Sequence, residues 1–322
     1  MDKLHVVITM DVEPPTPDTH PTATGPGSWA EGETFIQGYA ERAAEFGFPV
    51  TFFIHPEVAV EQAGLFEELK GRGCCVEGLH LHPWKFGDGK YKAHFGGLGE
   101  RDMRAAVSEA IAMWQSGMGR RPLYFRPGTF SGNDFMYQVL TDLGFRGGSC
   151  SAPGRIWPRL NAIWTGAAPD PHRAHPIFRQ LVGSLPFANM PIAVDFSETR
   201  ISVGAQWRDV DPATASLDTN TVVGHWDMRP DWQSADYDKI AANIVSQTRQ
   251  RGATIPVINL LTHNDNDFTD PDDRVCRNFV LSVQAMTDAA RAAGMEPVGS
   301  TIETITDLVL AEPDRSLEFV YT

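Results

Sequence analysis

Two histidines one residue apart, His80 and His82, stand in the stretch Glu77-Gly78-Leu79-His80-Leu81-His82-Pro83-Trp84. On an extended strand, residues two apart point to the same face, so both imidazoles can approach one ion. In isolation the pair equally fits two histidines satisfied by hydrogen bonds. Asp11-Val12-Glu13 repeats the alternation with carboxylates, and alone reads as a loop-start pair capping backbone amides. Taken together, two histidines and one carboxylate form the three-ligand set of a hydrolytic metal centre with a position left for water. One acid would bind the ion and the other would take the water's proton; the residue pattern does not say which.

His263, in Leu260-Leu261-Thr262-His263-Asn264-Asp265-Asn266, can carry a proton and hand it to a departing amine. The plainer alternative is a histidine bonded to a loop carbonyl. Arg126-Pro127-Gly128 supplies a guanidinium able to orient a carboxylate through a bidentate pair, or else an ordinary surface ion pair.

These groups need a scaffold that gathers them. Strand-like apolar runs at Leu4–Met10, Pro49–Ile54, Cys74–His82, Leu123–Phe125 and Thr254–Leu261 alternate with helix-period segments at Glu33–Phe46, Val58–Arg72, Arg101–Trp114, Gly132–Leu143, Ala235–Arg251 and Val275–Ala293. Near-continuous apolar strands between helices predict a parallel sheet covered on its faces. Each polar cluster follows the C-terminal end of a strand, the rim where active sites assemble in such folds. Pro14–Trp29 and Ala152–Asp231 break the rhythm. The second holds only short strand candidates, at Ile192–Phe196 and Val222–Trp226, and both stretches predict rim loops that carry substrate choice. The expectation is one α/β domain over 1–322, a deformed (β/α) barrel with seven or eight mainly parallel strands and a loop-rich insertion at 152–231.

With 322 residues, 42% hydrophobic and 21% charged, the chain has ordinary globular composition. A net charge of −14 argues against nucleic acid and anionic membrane as partners. The expected partner is a small molecule or oligosaccharide, with a homo-oligomer possible. Cys74, Cys75, Cys150 and Cys276 show no disulfide framework, and Cys74 and Cys75 read as inert mid-strand core. With no signal-like or 20-residue apolar run, a cytoplasmic location is expected.

In order along the chain, the four clusters resemble the polysaccharide deacetylases, the carbohydrate-esterase group that includes chitin-oligosaccharide and peptidoglycan deacetylases. Thr9-Met10-Asp11-Val12-Glu13 is similar to the family's first motif, Gly78-Leu79-His80-Leu81-His82-Pro83 to a shortened second, Phe125-Arg126-Pro127-Gly128 to the third, and Leu260 to His263 to the last. The resemblance implies Asp11 as base, Glu13, His80 and His82 as ligands of a divalent ion (zinc, or else cobalt, nickel or manganese), Arg126 as partner of the base, and His263 as general acid. Pro127, Gly128 and Trp226 are expected against substrate. Other tryptophans, Trp29, Trp157, Trp164, Trp207 and Trp232, could stack on sugar faces, but for most of them core packing is the simpler reading. The implied reaction is hydrolysis of an amide on an N-acetylated sugar. Cyclic amide or ureide hydrolysis on the same fold is the alternative, and a catalytically silent sugar- or protein-binding barrel stands as a second.

Overall fold

The structure, a computed structural model, describes residues 2–15, 25–87, 89–203 and 221–313. Strand β1 (Lys3–Val12) is buried along nearly its whole length, as its unbroken apolar run requires of a strand covered on both faces. Helix α1 (Trp29–Glu45) starts where the Ser28 side chain accepts from the Glu31 amide, an N-cap that satisfies a backbone donor the helix itself cannot. After β2 (Val50–Ile54) the single helix expected over Val58–Arg72 is two, α2 (Pro56–Glu61) and α3 (Ala63–Gly71). Gln62 breaks it: its backbone leaves helical geometry, and its side-chain amide donates instead to the Trp29 carbonyl at 2.8 Å.

Strand β3 (Cys75–Leu81), helix α4 (Glu100–Met118), strand β4 (Tyr124–Pro127), helix α5 (Met136–Asp142) and strand β5 (Gly147–Gly148) follow. Cys74 precedes β3 rather than lying within it, and is only half-buried; Cys75 is in the core, where burial pushes its thiol up to about 12. Helix α5 begins later than its periodicity suggests because Asn133 holds a turn. Its amide donates to the Gly96 and Leu98 carbonyls while its oxygen accepts from the Phe135 amide.

The described parts of the segment 152–231, residues 152–203 and 221–231, hold more regular structure than their composition suggests. They carry the short strands β6 (Ile156–Trp157), β7 (Ala162–Ile163), β8 (His172–Arg173) and β9 (Ala188–Asn189), then the antiparallel pair β10 (Val194–Val203) and β11 (Thr221–Asp227). The candidate substrate-stacking Trp207 lies outside the described residues. The chain ends with α6 (Tyr237–Gln250), β12 (Val257–His263), α7 (Arg274–Ala292), β13 (Glu296–Ser300) and α8 (Ile302–Ala311).

The main sheet runs β12-β1-β2-β3-β4-β5-β9-β8, parallel except at the last pairing, and β10-β11-β6-β7 form a second sheet. β1 pairs with β12 over His5–Asp11, with β13 over Lys3–Val7 and with β2 over Ile8–Val12. A strand has two edges, so β13 and β2 must share one, splaying the sheet below the middle of β1. On the other side, β12 reaches the chain after β9 through one side chain. Buried Asn259 accepts from the Ala193 amide at 2.9 Å and donates to the Pro191 carbonyl at 2.8 Å. That side chain supplies hydrogen bonds where a strand pairing would otherwise close the barrel. The result is a deformed (β/α) barrel.

Candidate active site

Asp11 is the next-to-last residue of β1 and pairs in register with His263, the last of β12. Glu13 follows two residues later, so alternation turns both carboxylates to the same side. Asn264 fixes the position of Glu13 by accepting from its backbone amide at 2.8 Å and donating to its carbonyl at 3.0 Å.

His80 Nε2 and His82 Nε2 lie 3.2 Å and 2.8 Å from the same Glu13 oxygen, Oε1, and all three residues are buried. His80 Nδ1 meets the Arg126 carbonyl at 3.1 Å. A carbonyl has no proton to give, so Nδ1 must donate, leaving the lone pair of a neutral ring on Nε2. Lone pairs and a carboxylate oxygen that converge in this way repel one another unless a cation or proton lies between them. In a tetrahedral shell with ligand bonds of about 2.0–2.2 Å the edges run to about 3.3–3.6 Å, so the His80 spacing comes close to one and the His82 spacing is shorter, with room to open around an ion. The donor set Glu13, His80 and His82, with its ligand atoms all within 4.8 Å of one another, therefore fits a divalent ion. Lys85 Nζ donates to the other oxygen, Oε2, at 2.8 Å, leaving Oε1 as the ligand atom. Burial would raise the Glu13 carboxyl, but the positive charge around it, Lys85 included, outweighs burial and holds it well below the usual range.

Gly128 is part of this geometry. An ideal Cβ there would come within 2.3 Å of the His82 ring, so the missing side chain is what lets the imidazole sit flat against the turn after β4. The two following residues, Thr129 and Phe130, hold φ of 57° and 56°. Positive φ at consecutive non-glycine residues is strain of the kind found at functional sites. Pro127 ends β4 and leads into this turn.

Arg126 is fully buried, not a surface residue. It meets Asp11 with one nitrogen rather than two: Nη1 donates to Asp11 Oδ1 at 2.8 Å and to Thr9 Oγ1 at 2.9 Å. The Phe53 ring faces its guanidinium at 4.1 Å, a cation–π contact. Burial raises the Asp11 carboxyl, yet Arg126 overrides burial and keeps it below the ordinary value.

His263 Nδ1 stands 3.7 Å from Asp231 Oδ2, and Asp231 accepts from Thr262 Oγ1 at 2.9 Å. Burial lowers the imidazole pKa, but Asp231 and then Asp11 raise it more, so it lies above its ordinary value of 6.5. Its surroundings favour the protonated form more than water does.

Trp226 sits on β11, half-buried, donating through Nε1 to Glu198 at 3.1 Å under the Arg200 guanidinium at 3.6 Å. Among the described residues its polar and ring partners, including Trp232 at 5.3 Å, are all on the second sheet or beside it. Sequence reasoning missed Lys85, Asn264 and Asp231. Asn264 directly follows His263 and could have been found as a side chain fixing the rim. Nothing in the sequence marked Asp231, because its place opposite His263 depends on how the chain returns from β11.

Neither protein-family profiles nor curated proteins match the chain. Solved structures do. A Mycobacterium smegmatis protein assigned as a polysaccharide deacetylase superposes with a TM-score of 0.57 at 14% identity, over 97% of this chain and 93% of that one. PuuE allantoinase superposes with a TM-score of 0.55 at 12% identity, over 99% and 92%. At such identity the likeness concerns architecture, and this chain has the deformed α/β-barrel fold of that deacetylase and that allantoinase.

Proposed function

We propose that the protein is a metal-dependent hydrolase of a non-peptide C–N amide bond, with an N-acetylated sugar as the substrate the motifs favour. The observation that carries the proposal is the meeting, on one barrel rim, of a Glu13–His80–His82 donor set with Asp11–Arg126 on one side and His263–Asp231 on the other. A divalent ion held by Glu13, His80 and His82 would polarise the scissile carbonyl and acidify water. Asp11, kept ionised by Arg126, takes one proton from the attacking water as its oxygen bonds to the acyl carbon. His263, kept protonated by Asp231, gives a proton to the nitrogen as the C–N bond breaks. One proton is accepted and one donated, so the products are a carboxylic acid and an amine. Asn264 and Lys85 hold Glu13 still throughout.

The superposition on an allantoinase over nearly the whole of both chains supports a second reading, opening of a cyclic amide or ureide by the same groups. Zinc-loaded protein is assayed for acetate release from N-acetylglucosamine oligomers and for ring opening of allantoin and succinimide, each with and without chelator. Chelator-sensitive turnover of one class selects between the readings. No turnover of either class, with zinc bound, would contradict both and leave a binding barrel.

A further inference from the structure

Four acids of the rim stand beside cations: Asp11 with Arg126, Glu13 with Lys85, Asp227 with Arg229 and Asp231 with His263. Arg155 has no such partner. Among the described residues no carboxylate lies within ion-pair distance of its guanidinium and no hydrogen bond reaches it.

Arg155 is nevertheless held in place. Its amide donates to the Ala152 carbonyl at 3.0 Å, and its own carbonyl accepts from the Trp164 amide at 2.7 Å. The preceding Gly154 has a φ of 77° and packs so closely on His225 that a Cβ would meet Nε2 at 2.4 Å. This half-buried side chain places its guanidinium carbon 5.1 Å from the centre of the Phe130 ring. The guanidinium of Arg126, which binds Asp11, lies 5.8 Å from the same ring. Phe130 thus connects Arg155 to the rim.

Burial and the like charge of Arg229 depress Arg155 to about 10. Asp227, whose charge acts the other way on Arg155, is already engaged by Arg229 at 3.4 Å and by Trp232 Nε1 at 3.0 Å. A partly desolvated guanidinium that feels the charge of another arginine is unfavourable in the free protein, and a bound anion would reverse that.

We infer that Arg155, with Arg229 beside it, receives a carboxylate of the substrate, so that the amide cut belongs to a molecule that also carries an acid group. The inference deepens the hydrolase reading and rests on it for the word substrate. The planar fork of arginine suits a carboxylate, and an N-acetylated sugar acid would satisfy both the rim and this arginine.

The test compares N-acetylglycine with its methyl ester, two probes that share the acetyl amide and differ in the charge. Dissociation constants are measured by calorimetry for the zinc-loaded wild type, Arg155→Gln, Arg155→Lys and Arg101→Gln, the last an exposed arginine on α4. The wild type is expected to prefer the acid at least tenfold. Arg155→Gln brings the ratio near one, Arg155→Lys keeps part of it, and Arg101→Gln keeps all of it. Equal binding of acid and ester by the wild type, or a preference that survives in Arg155→Gln (as a carboxylate resting on the metal would give), overturns the inference. Failure to hydrolyse these probes or any other amide strikes the hydrolase reading alone, because the binding ratio scores the arginine separately.

Discussion

Replacing Gly128 with alanine adds one methyl group at the tightest point of the proposed metal centre. An ideal Cβ would lie 2.3 Å from both Cε1 and Nδ1 of His82 and 2.5 Å from its Cγ, where carbon contacts settle near about 3.5–4.0 Å. Gly128 is not among the positive-φ glycines, so the substitution adds bulk without backbone strain. The ring must therefore retreat by about 1 Å or more. Metal sites tolerate displacements of only about 0.2 Å, and His82 Nε2 now stands 2.8 Å from Glu13 Oε1. Zinc affinity should fall by at least about 10–100-fold, the range seen when groups supporting a ligand are disturbed. The assay is competition for zinc with a chromophoric chelator, with circular dichroism confirming a native spectrum. A folded Gly128→Ala protein with wild-type zinc affinity would refute the assignment of His82 as a ligand.

Three further outcomes are expected. Asp11→Asn and His263→Ala should each cost about a hundredfold or more in turnover while the fold persists, measured as initial rates on any substrate found. Asp231→Asn removes the main group that raises the His263 pKa; activity that needs protonated His263 is lost as pH rises through that pKa, so the alkaline limb of kcat/KM should move to lower pH. An unmoved limb would separate Asp231 from the proton donor. Asn259→Ala leaves the buried Pro191 carbonyl and Ala193 amide without partners, at about 1–3 kcal/mol each. Thermal unfolding should fall by roughly 5 °C or more, with zinc affinity kept.

Much of this was legible in the sequence because burial and alternation act locally. β1, β3 and β12 announce themselves as apolar runs buried on both faces, and each carries its polar residues at the end that becomes the rim. The site was legible as far as alternation on single strands reaches: Asp11 with Glu13, and His80 with His82. The rest depended on contacts between distant segments. Asp231 meets His263 only because the segment after β11 folds back over β12. Lys85 turns onto Glu13 from a loop whose course no periodicity records. The helix boundary at Gln62 and the late start of α5 were set by side chains bonding to backbone elsewhere, at Trp29 and at Gly96 and Leu98. β13 escaped notice because Glu296–Ser300 is short and half-buried, with little apolar signal; α8 escaped with it although Ile302, Ile305 and Val309 give it a buried apolar face.

The claim on which the account turns is that Glu13, His80 and His82 share one ion. X-ray absorption at the zinc edge of protein titrated with one equivalent of zinc tests it directly. If the three residues hold one ion, the shell is nitrogen and oxygen at about 2.0–2.2 Å with the scattering of two imidazoles, falling to one in His82→Ala. A protein that takes up no zinc, or a shell with any number of imidazoles other than two, would contradict it.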